Sequence, residues 1–353
     1  MQNESIEFLK NYDGETVNIM EVCGTHTHEI FRNGIRNILS PKINLISGPG
    51  CPVCVTPMTY MDEAIYLADN DVIVCTFGDL VRVPGSRKSL AVSKAEGKAV
   101  KTVYAPMDAV EIAENNPDRE VVFLSVGFET TTPADCLAVK KAAALGLKNF
   151  SLLAANKTMP GAYKAMKDST DMYLYPGHVH AITGTGICRE LAEEGVSGVI
   201  AGFTPSELVT ALALGVKGYI QNKTDSSSNK GFYMNCYPRV VRDEGSPKAV
   251  EMINEFMEEC DANWRGIGVI PASGLCLRDK YADFDAKKKY NIPDMEPGSS
   301  RGCRCGDVLQ GKIKPMECPL FGKVCVPDNP VGACMVSSEG ACSAFYSYGG
   351  TLL

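Results

Sequence analysis

Two cysteines three positions apart, Cys51 and Cys54 in the stretch GPGCPVC, have the spacing that most directly indicates chemistry. The glycines and prolines around them favour a tight turn with both sulfur atoms on the same side. Such a pair could bind zinc, ligate an iron-sulfur cluster or form a reversible disulfide. A structural zinc site needs four ligands, and the sequence has no second Cys-X-X-Cys and no His-X3-His. Zinc stays open as an alternative in which Cys23 and His28 complete the site.

Cys23 and His26 form a second candidate group, in the stretch EVCGTHTHEIF. A cysteine and a histidine at this spacing can point at one small volume, and the Gly-Thr between them favours a turn. The histidines occur as two His-X-His pairs, His26 with His28 and His178 with His180. A histidine beside threonine in a turn is often an ordinary surface residue, but the nearby cysteine makes His26 a candidate for function.

The last 51 residues are rich in cysteine, in spacings that do not suit the tight pairs of a zinc ribbon. Their number exceeds the four thiolates that an iron-sulfur cluster requires, and Cys318 precedes a proline, a context often found around cluster ligands. The pattern therefore predicts a cluster with four ligands and two spare thiols. The tail cysteines are Cys303, Cys305, Cys318, Cys325, Cys334 and Cys342.

Fifteen cysteines in 353 residues is a high content. In a reducing compartment such thiols are more often metal ligands or redox groups than structural disulfides. Six of them stand singly in apolar or helical contexts, where we expect small buried hydrophobic residues. These six are Cys75, Cys136, Cys188, Cys236, Cys260 and Cys276.

Composition narrows the class of protein. The apolar and charged fractions, 45% and 22%, are those of an ordinary globular protein, and a net charge of -7 argues against a nucleic-acid partner. The longest basic block is Lys287 to Lys289. No apolar run approaches the length of a membrane span, and the amino-terminal residues lack the features of a signal peptide. We therefore expect a cytoplasmic protein with no membrane and no nucleic acid as partner.

Short runs rich in β-branched residues alternate with stretches of helical periodicity. Continuous apolar strands followed by helices are typical of parallel sheets covered on both faces, so the predicted fold class is α/β. The predicted strands are 43–47, 71–77, 101–105, 120–126, 150–155, 198–203 and 216–220.

Two of these strands continue into similar text, VVFLSVGFETTTPAD and SGVIAGFTPSEL. In each, threonine is placed to cap a helix, and Pro133 or Pro205 stands at its first position. This repeat predicts two Rossmann-like parallel-sheet α/β halves around a cleft, with ligands bound at the carboxyl ends of the strands.

Strand signals fade after about residue 236, where a helix is expected from Lys248 to Cys260, followed by irregular sequence. A segment with so little apolar periodicity needs help to fold, and a metal centre could provide it. We expect α/β domains at 1–130 and 131–235, and a smaller, irregular, cysteine-rich iron-sulfur domain at 236–353.

The motifs CGTHTHEI, SGPGCPVCVTP, GFETTTP and PGHVHAITG, together with the cysteine-rich tail, closely resemble the HypD family of hydrogenase maturation factors. The resemblance runs from about residue 20 to residue 350. It implies a scaffold on which the iron of the [NiFe] hydrogenase active site acquires its cyanide and carbon monoxide ligands. It also implies two protein partners, a small chaperone of the HypC type and a cyanide donor of the HypE type.

Carried over by matching motifs, the resemblance implies that Cys23 holds the iron that receives cyanide and carbon monoxide, with His26 beside it. Cys51 and Cys54 would be a redox-active dithiol in the cleft. A 4Fe-4S cluster is implied in the tail, with Cys305 and Cys334 forming a disulfide next to it. The implied cluster ligands are Cys303, Cys318, Cys325 and Cys342. His180 departs from the family pattern, in which a small residue is expected, and receives no role.

Two other classes of function stay open at this point. One is a thiol-disulfide reductase that uses the cluster and the dithiol to reduce a protein partner, and it would not need Cys23 and His26. The other is a structural zinc protein with a Rossmann-like body that binds a nucleotide. The resemblance favours an assembly scaffold with redox-active thiols over a conventional turnover enzyme.

Overall fold

The computed structural model describes residues 2–224, 230–296, 298 and 302–349. Its strands are β1 (Val17–Glu21), β2 (Ile43–Ser47), β3 (Ile73–Thr76), β4 (Val100–Thr102), β5 (Val121–Ser125), β6 (Phe150–Ala154), β7 (Asn156–Lys157), β8 (Met172–Pro176), β9 (Ser197–Ala201), β10 (Tyr233–Asn235), β11 (Met257–Trp264) and β12 (Gly268–Leu277).

The helices of the described residues alternate with these strands. They are α1 (Gln2–Lys10), α2 (Gly24–Arg32), α3 (Pro52–Val55), α4 (Met58–Asp69), α5 (Gly78–Val81), α6 (Leu90–Ala95), α7 (Pro106–Glu114), α8 (Thr132–Ala144), α9 (Met159–Met166), α10 (Gly177–Thr183), α11 (Gly186–Glu193), α12 (Pro205–Thr224), α13 (Pro247–Phe256), α14 (Ala286–Lys289), α15 (Cys305–Leu309) and α16 (Ala341–Tyr348). Short 3-10 turns include 35–38, 315–317 and 333–335.

Two parallel sheets carry the fold. Sheet A has the strand order β10-β9-β8-β1-β2 and sheet B the order β4-β3-β5-β6, and every strand pair within them is parallel. All five residues of β5 and all five of β9 are buried. Helices such as α7 on β5 and α12 on β9 cover these apolar strands. The predicted α/β class with parallel sheets is confirmed.

The two repeated strand-helix units occur as β5-α8 and β9-α12, with a difference in their caps. The Thr204 hydroxyl accepts from the Glu207 N–H at 3.3 Å, and the Glu207 carboxylate accepts from the Thr204 N–H at 3.1 Å. This capping box stabilises α12, which begins at Pro205. In α8 the Thr132 hydroxyl instead donates to the Phe128 carbonyl at 2.8 Å, so threonine capping holds only in the second unit. The first position expected for Pro133 was wrong as well, because α8 begins one residue earlier, at Thr132.

The chain does not complete one sheet before beginning the other. β1 and β2 pair with β8, β9 and β10 in sheet A, whereas the intervening β3 to β6 form sheet B. The boundary expected at residue 130 therefore falls inside sheet B, between β5 and β6, while that at 235 coincides with the end of β10. Short strands such as β1 and β8 were not predicted, and they bring the amino-terminal segment into a sheet with residues 172–235.

Two further expectations about elements were wrong. Residues 216–220 lie in α12, because the buried helical pattern that begins at Leu208 continues through Gly215 and Val216. The helix expected to reach Cys260 ends at Phe256, and β11 begins at the next residue. The following residues are not irregular, since β11 and β12 form an antiparallel hairpin that also pairs with β7.

The cysteine-rich tail has little regular structure and packs on the rest of the molecule. α16 lies against α2, where the Phe31 and Phe345 rings meet at 5.3 Å between centroids. The turn at 333–335 packs on α3. Within the part of the chain that the structure describes, no helix combines the length and apolar character needed to cross a bilayer.

Candidate functional site

The Cys23 and Cys51 loops follow neighbouring parallel strands, so sheet A brings them to the same edge. Glu21 at the end of β1 pairs with Ser47 at the end of β2. The Gly24 N–H then donates to the Gly50 carbonyl at 2.9 Å, and a Cβ on Gly50 would overlap the backbone of Cys23. Glycine at position 50 therefore allows the two thiol-bearing loops to lie backbone to backbone.

Cys51 and Cys54 sit at the start of a single helical turn, as the sequence predicts. Cys51 is the N-cap of α3 and Pro52 occupies its first turn. The Cys54 N–H donates to the Cys51 sulfur at 3.3 Å. Both thiols are buried, so they form a preorganised pair that is shielded from bulk solvent.

Cys23 is the N-cap of α2, in extended backbone conformation, and its side chain is buried. Burial raises the pKa of this thiol to about 12, although hydrogen bonds from the backbone of His26 and Thr25 oppose the rise. The group is therefore a thiol in the free protein. Binding of a soft metal ion would release its proton, because the thiolate is the ligand.

His26 is fully buried on the first turn of α2. Its Nε2 lies 3.0 Å from the Gly202 carbonyl, which can only accept, so Nε2 carries the proton and Nδ1 has a free lone pair. Nδ1 is buried without a hydrogen-bond partner among the described residues. Burial lowers the pKa of His26 to about 4, so the ring is neutral at physiological pH. A neutral imidazole with an unpaired nitrogen is available to a metal or to a bound ligand.

Phe203 separates two histidines of the predicted motifs. The His26 ring lies 4.7 Å from the Phe203 ring and the His178 ring stacks on it at 3.7 Å. Phe203, which follows β9, therefore links His178 of the motif PGHVHAITG to His26, which lies on the same helix as the Cys23 N-cap. His28 turns away toward the tail, with Nδ1 3.3 Å from the Ser338 carbonyl. His180 is buried beside Cys188 and does not contact Phe203 in this arrangement.

Two buried carboxyl groups, Glu21 beside the Cys23 loop and Glu129 after β5, had no sequence signal, because no paired-carboxylate motif is present. Glu21 accepts from the Thr27 hydroxyl at 2.6 Å and from the Cys23 N–H at 3.4 Å. Glu129 accepts from the Met159 N–H at 2.8 Å, and its Oε2 has no partner among the described residues. Burial raises the pKa of each carboxyl to about 7. Both groups can therefore hold or release a proton near neutral pH.

The six tail cysteines converge on one small cavity. Leu320, Phe321, Met335 and Gly332 complete its lining, so thiols are the only side-chain groups there that bind metals strongly. A Cβ on Gly332 would come within 2.6 Å of the Cys303 sulfur, so glycine is needed for this close approach. The lining cysteines are Cys303, Cys305, Cys318, Cys325, Cys334 and Cys342.

This donor set suits a 4Fe-4S cluster, which is held by four thiolates. Apolar side chains between the sulfur atoms exclude competing hard ligands. The Cys325 sulfur accepts from the Val331 N–H at 3.4 Å, the kind of hydrogen bond that tunes cluster potentials. In the described part of the chain, no three His, Cys, Asp or Glu side chains converge closely enough to hold a single metal ion.

A series of neighbouring thiols joins this cavity to the Cys51-Cys54 pair. Hydrogen bonds from Cys305 and Cys54 lower the pKa of Cys334, which lies between them. Burial and the contact with Cys334 raise the pKa of Cys54. Cys303 continues the line through Cys305, since the hydrogen bond to Cys305 raises the pKa of Cys303. We call these five residues, which end at Cys51, the thiol line.

Cys334 is the residue whose position sequence reasoning did not foresee. It was expected only as a partner of Cys305, whereas it also contacts Cys54. All the cysteines of the chain are free thiols in this structure, so the expected Cys305-Cys334 disulfide stays a prediction for the oxidised protein. The two residues are in contact, as that bond requires.

Arg265 is a second residue that was missed. Its Nε donates to the Thr56 carbonyl at 2.7 Å and its backbone N–H donates to the Val55 carbonyl at 2.8 Å. Its positive charge favours the ionised forms of Cys303 and Cys305. One residue thus ties the β11-β12 hairpin to α3 and stabilises thiolates in the tail.

The cysteines outside these groups divide into two sets. Cys75, Cys136 and Cys188 are buried, as expected of small hydrophobic residues. The same expectation was wrong for the other three, which are only half-buried because they lie on β11, β12 and next to the edge strand β10. These are Cys236, Cys260 and Cys276.

Comparison with known proteins identifies the family of this chain. A HypD family model, described as "Hydrogenase formation hypA family", matches residues 2–349. The HypD maturation factor of Rhodobacter capsulatus is 43% identical, covering 95% of this chain and 90% of the relative. That of Azotobacter vinelandii is 41% identical, covering 94% and 89%. A putative hydrogenase expression/formation protein of Methanocaldococcus jannaschii is 40% identical, covering 95% and 92%. The chain therefore belongs to the HypD family.

Proposed function

We propose that this chain is a scaffold and redox component in the maturation of [NiFe] hydrogenase. Its cargo would be an iron ion that acquires two cyanides and one carbon monoxide while held in the cleft. Relatives at 40–43% identity are named hydrogenase maturation or formation proteins, which supports the process. The single observation that carries the specific role is the thiol line, which links Cys51 next to Cys23 with a cysteine-lined cavity.

Cys23 would hold the cargo iron. A buried thiol that ionises only when a metal arrives suits a soft, low-spin iron with strong-field ligands. The free Nδ1 of His26 supports a second contact, either to the iron or to a ligand on it. The neutral states of His26 and of the Cys23 thiol keep this site weakly charged, which favours binding of a compact complex over a hydrated ion.

Cys51 and Cys54 would be the redox-active pair beside that iron. Closing a disulfide between them releases two electrons and two protons, and opening it takes up the same number. Cys334 lies in contact with Cys54, so the thiol line supports exchange between this pair and a Cys305-Cys334 disulfide. In such an exchange one disulfide opens as the other closes, and the electrons balance without an external reagent.

Four tail thiols would hold the resident cofactor. When bound, a 4Fe-4S cluster supplies electrons one at a time, at a site that the cavity shields from solvent. The positive charge of Arg265 would stabilise ionised thiols on this side of the molecule. We assign its ligation to Cys303, Cys318, Cys325 and Cys342.

The protein partners would be a small chaperone of the HypC type and a cyanide donor of the HypE type. The proximity of Cys23, Cys51 and His178 on loops at one edge of sheet A supports a docking face there, because ligands of open α/β sheets bind at the carboxyl ends of strands. A partner seated on these loops would also exclude water from the cargo.

A cluster-dependent thiol-disulfide reductase that acts on a protein partner is the second candidate. The thiol line supports a reductase as well as it supports a scaffold, since a reductase needs a cluster cavity and a dithiol in contact. Cys23 separates the two functions, because only the scaffold requires it. The outcome for a Cys23→Ser variant therefore decides between them.

The test is an infrared spectrum of the protein purified without oxygen together with its small HypC-type partner. Bound cyanide and carbon monoxide absorb where proteins have no bands. We expect these bands in the wild type and in a Cys236→Ser control, and their loss in Cys23→Ser with the brown colour retained. Cyanide and carbon monoxide bands at full intensity in Cys23→Ser would contradict iron binding at Cys23. A colourless, zinc-loaded wild type would contradict the cluster assignment.

A further inference from the structure

A second pair of contacting thiols lies on the β11-β12 hairpin, outside the thiol line. In the antiparallel register Glu258 faces Cys276 and Cys260 faces Gly274. Residues two apart on a strand share a face, so Cys260 and Cys276 are diagonal neighbours on one face. Their side chains interact with each other, and the Cys276 thiol also donates to the Glu258 carbonyl at 3.7 Å. Both thiols are half-buried, which leaves them accessible to a small reagent.

The hairpin provides room for this contact. A Cβ added at Gly274 would lie 3.1 Å from the Cys260 sulfur, so glycine opposite Cys260 leaves space toward the diagonal position. The pairing register is irregular between Cys260 and Ala262, and such bulges increase the local twist of a strand pair. Added twist brings one diagonal pair of side chains closer together.

Lysine side chains flank the two sulfur atoms from different elements. Lys157 on β7 pairs with Gly274 and its charge opposes the rise in the pKa of Cys260. Burial and the adjacent Cys276 nevertheless raise the pKa of Cys260 to about 12. Lys288 on α14 interacts electrostatically with Cys276. Cys260 thus stays protonated, and Cys276 lies beside the positive charge of Lys288.

We propose that Cys260 and Cys276 form a reversible intrachain disulfide by exchange with a low-molecular-weight disulfide such as oxidised glutathione. The Cys276 thiolate attacks one sulfur of the reagent, and one glutathione leaves as a thiolate. Cys260 then loses its proton and attacks the sulfur of the mixed disulfide on Cys276, which releases the second glutathione. Two protein thiols are oxidised, one disulfide reagent is reduced, and two glutathione thiols are produced.

The diagonal position predicts that this disulfide is readily reduced. Diagonal Cα atoms lie about 7–8 Å apart in regular antiparallel pairs, whereas disulfides usually span about 4.4–6.8 Å. The bonded hairpin must therefore twist more tightly than the free one. Strained or exposed disulfides are the labile ones, so the pair is suited to respond to the thiol redox state of its surroundings. This inference does not rest on the proposed function.

The test uses the full-length protein, purified without oxygen and fully reduced, and then exposed to oxidised glutathione. Free thiols are alkylated and peptides are mapped by mass spectrometry. Among the cross-linked peptides we expect the pair Cys260 with Cys276, which disappears after dithiothreitol. A Cys236→Ser variant, which removes another half-buried cysteine, should give the same cross-link.

Two single variants test the order of attack. In Cys260→Ser, the glutathione adduct on Cys276 should accumulate roughly tenfold over wild type, because the resolving thiol is missing. In Cys276→Ser, Cys260 should remain free under the same conditions. The proposal is wrong if both cysteines stay alkylatable in oxidised wild type, or if Cys260→Ser leaves Cys276 unmodified.

Discussion

The thiols of the sheet A loops and the thiols of the tail are held in different ways. Cys23 and Cys51 are N-caps of helices that follow neighbouring parallel strands, and a backbone hydrogen bond fixes their loops together. The tail thiols instead lie in short turns and loops around a cavity that they line themselves. The loop thiols should therefore keep their geometry without metal, whereas the tail should depend on its cofactor.

The contact between these regions lies at one residue. Cys334 belongs to the turn at 333–335, which packs on α3, and it meets both Cys54 and Cys305. The dithiol and most of the tail thiols also share one apolar core, which includes Cys54 and Cys334. Loading of the proposed cluster into the tail would therefore be coupled, through Cys334, to the state of the Cys51-Cys54 pair.

The largest expected effect is loss of the cluster from the tail. Cys342→Ser removes one assigned ligand, so iron and acid-labile sulfide should fall by roughly tenfold or more. Proteolysis should then cut the tail after residue 302 much faster, while the sheets stay intact. Cys23→Ser is the matched control and should keep its acid-labile sulfide and its protease resistance. Equal cluster content in Cys342→Ser would remove that residue from the ligand set.

A substitution at Gly50 tests the rigidity of the loop region. Any Cβ there overlaps the Cys23 backbone, which no rotamer change can relieve, so Gly50→Ala should lower the free energy of unfolding by about 3 kcal/mol. Gly186→Ala is the control, because no atom lies within 4 Å of its added Cβ. Urea unfolding of the two variants measures the difference. A Gly50→Ala protein as stable as the control would contradict the backbone contact.

The buried carboxyl of Glu129 makes stability depend on pH. Its pKa is about 7 in the folded protein and 4.5 is its ordinary value, so the folded state binds more protons between these values. Stabilisation by the neutral carboxyl is complete below pH 4.5 and is lost as pH rises through 7.

Glu129→Gln should remove that loss, because the amide does not ionise. Between pH 5 and pH 8, the variant should gain about 2 kcal/mol of unfolding free energy relative to wild type. Urea unfolding at the two pH values gives the measurement. If the difference in unfolding free energy between Glu129→Gln and wild type is the same at pH 5 and pH 8, Glu129 is already ionised in the folded protein.

The smallest expected effect on stability is that of substituting Arg265, which joins the β11-β12 hairpin to α3. Arg265→Met removes the hydrogen bond to the Thr56 carbonyl and should lower the unfolding free energy by about 1–2 kcal/mol. The pKa of the Cys305 thiol should also rise, because the positive charge beside it is lost. Alkylation of Cys305 in cluster-free protein should slow at fixed pH. A faster reaction would show that Arg265 shields the thiol and does not ionise it.

The sequence predicted individual local elements better than it predicted how they are connected. Strand β2 has the predicted bounds, 43–47, and the turn at Cys51 has the predicted form, because apolar runs and Gly-Pro signals act locally. The six tail cysteines lie close together along the chain, which also predicts that they line one cavity. The shared sheet of β1 and β8 was not predictable, since strand pairing between distant segments is decided by tertiary packing.

Two individual residues show where local patterns give no information. The half-burial of Cys260 depends on its position in a hairpin that the polar, glycine-containing sequence did not indicate. The double contact of Cys334 depends on how the tail packs against α3. Both are properties of packing between elements, for which spacing along the chain carries no signal.

The contact between Cys54 and Cys334 is the central claim, and trapping it is the most direct test. In a Cys51→Ser, Cys305→Ser double variant, each of these two thiols has lost its other partner in the thiol line. Mild oxidation of the reduced, cluster-free protein, followed by peptide mapping, should yield a Cys54-Cys334 disulfide as the main product. Free Cys54 with Cys334 joined to a different cysteine would contradict the thiol line.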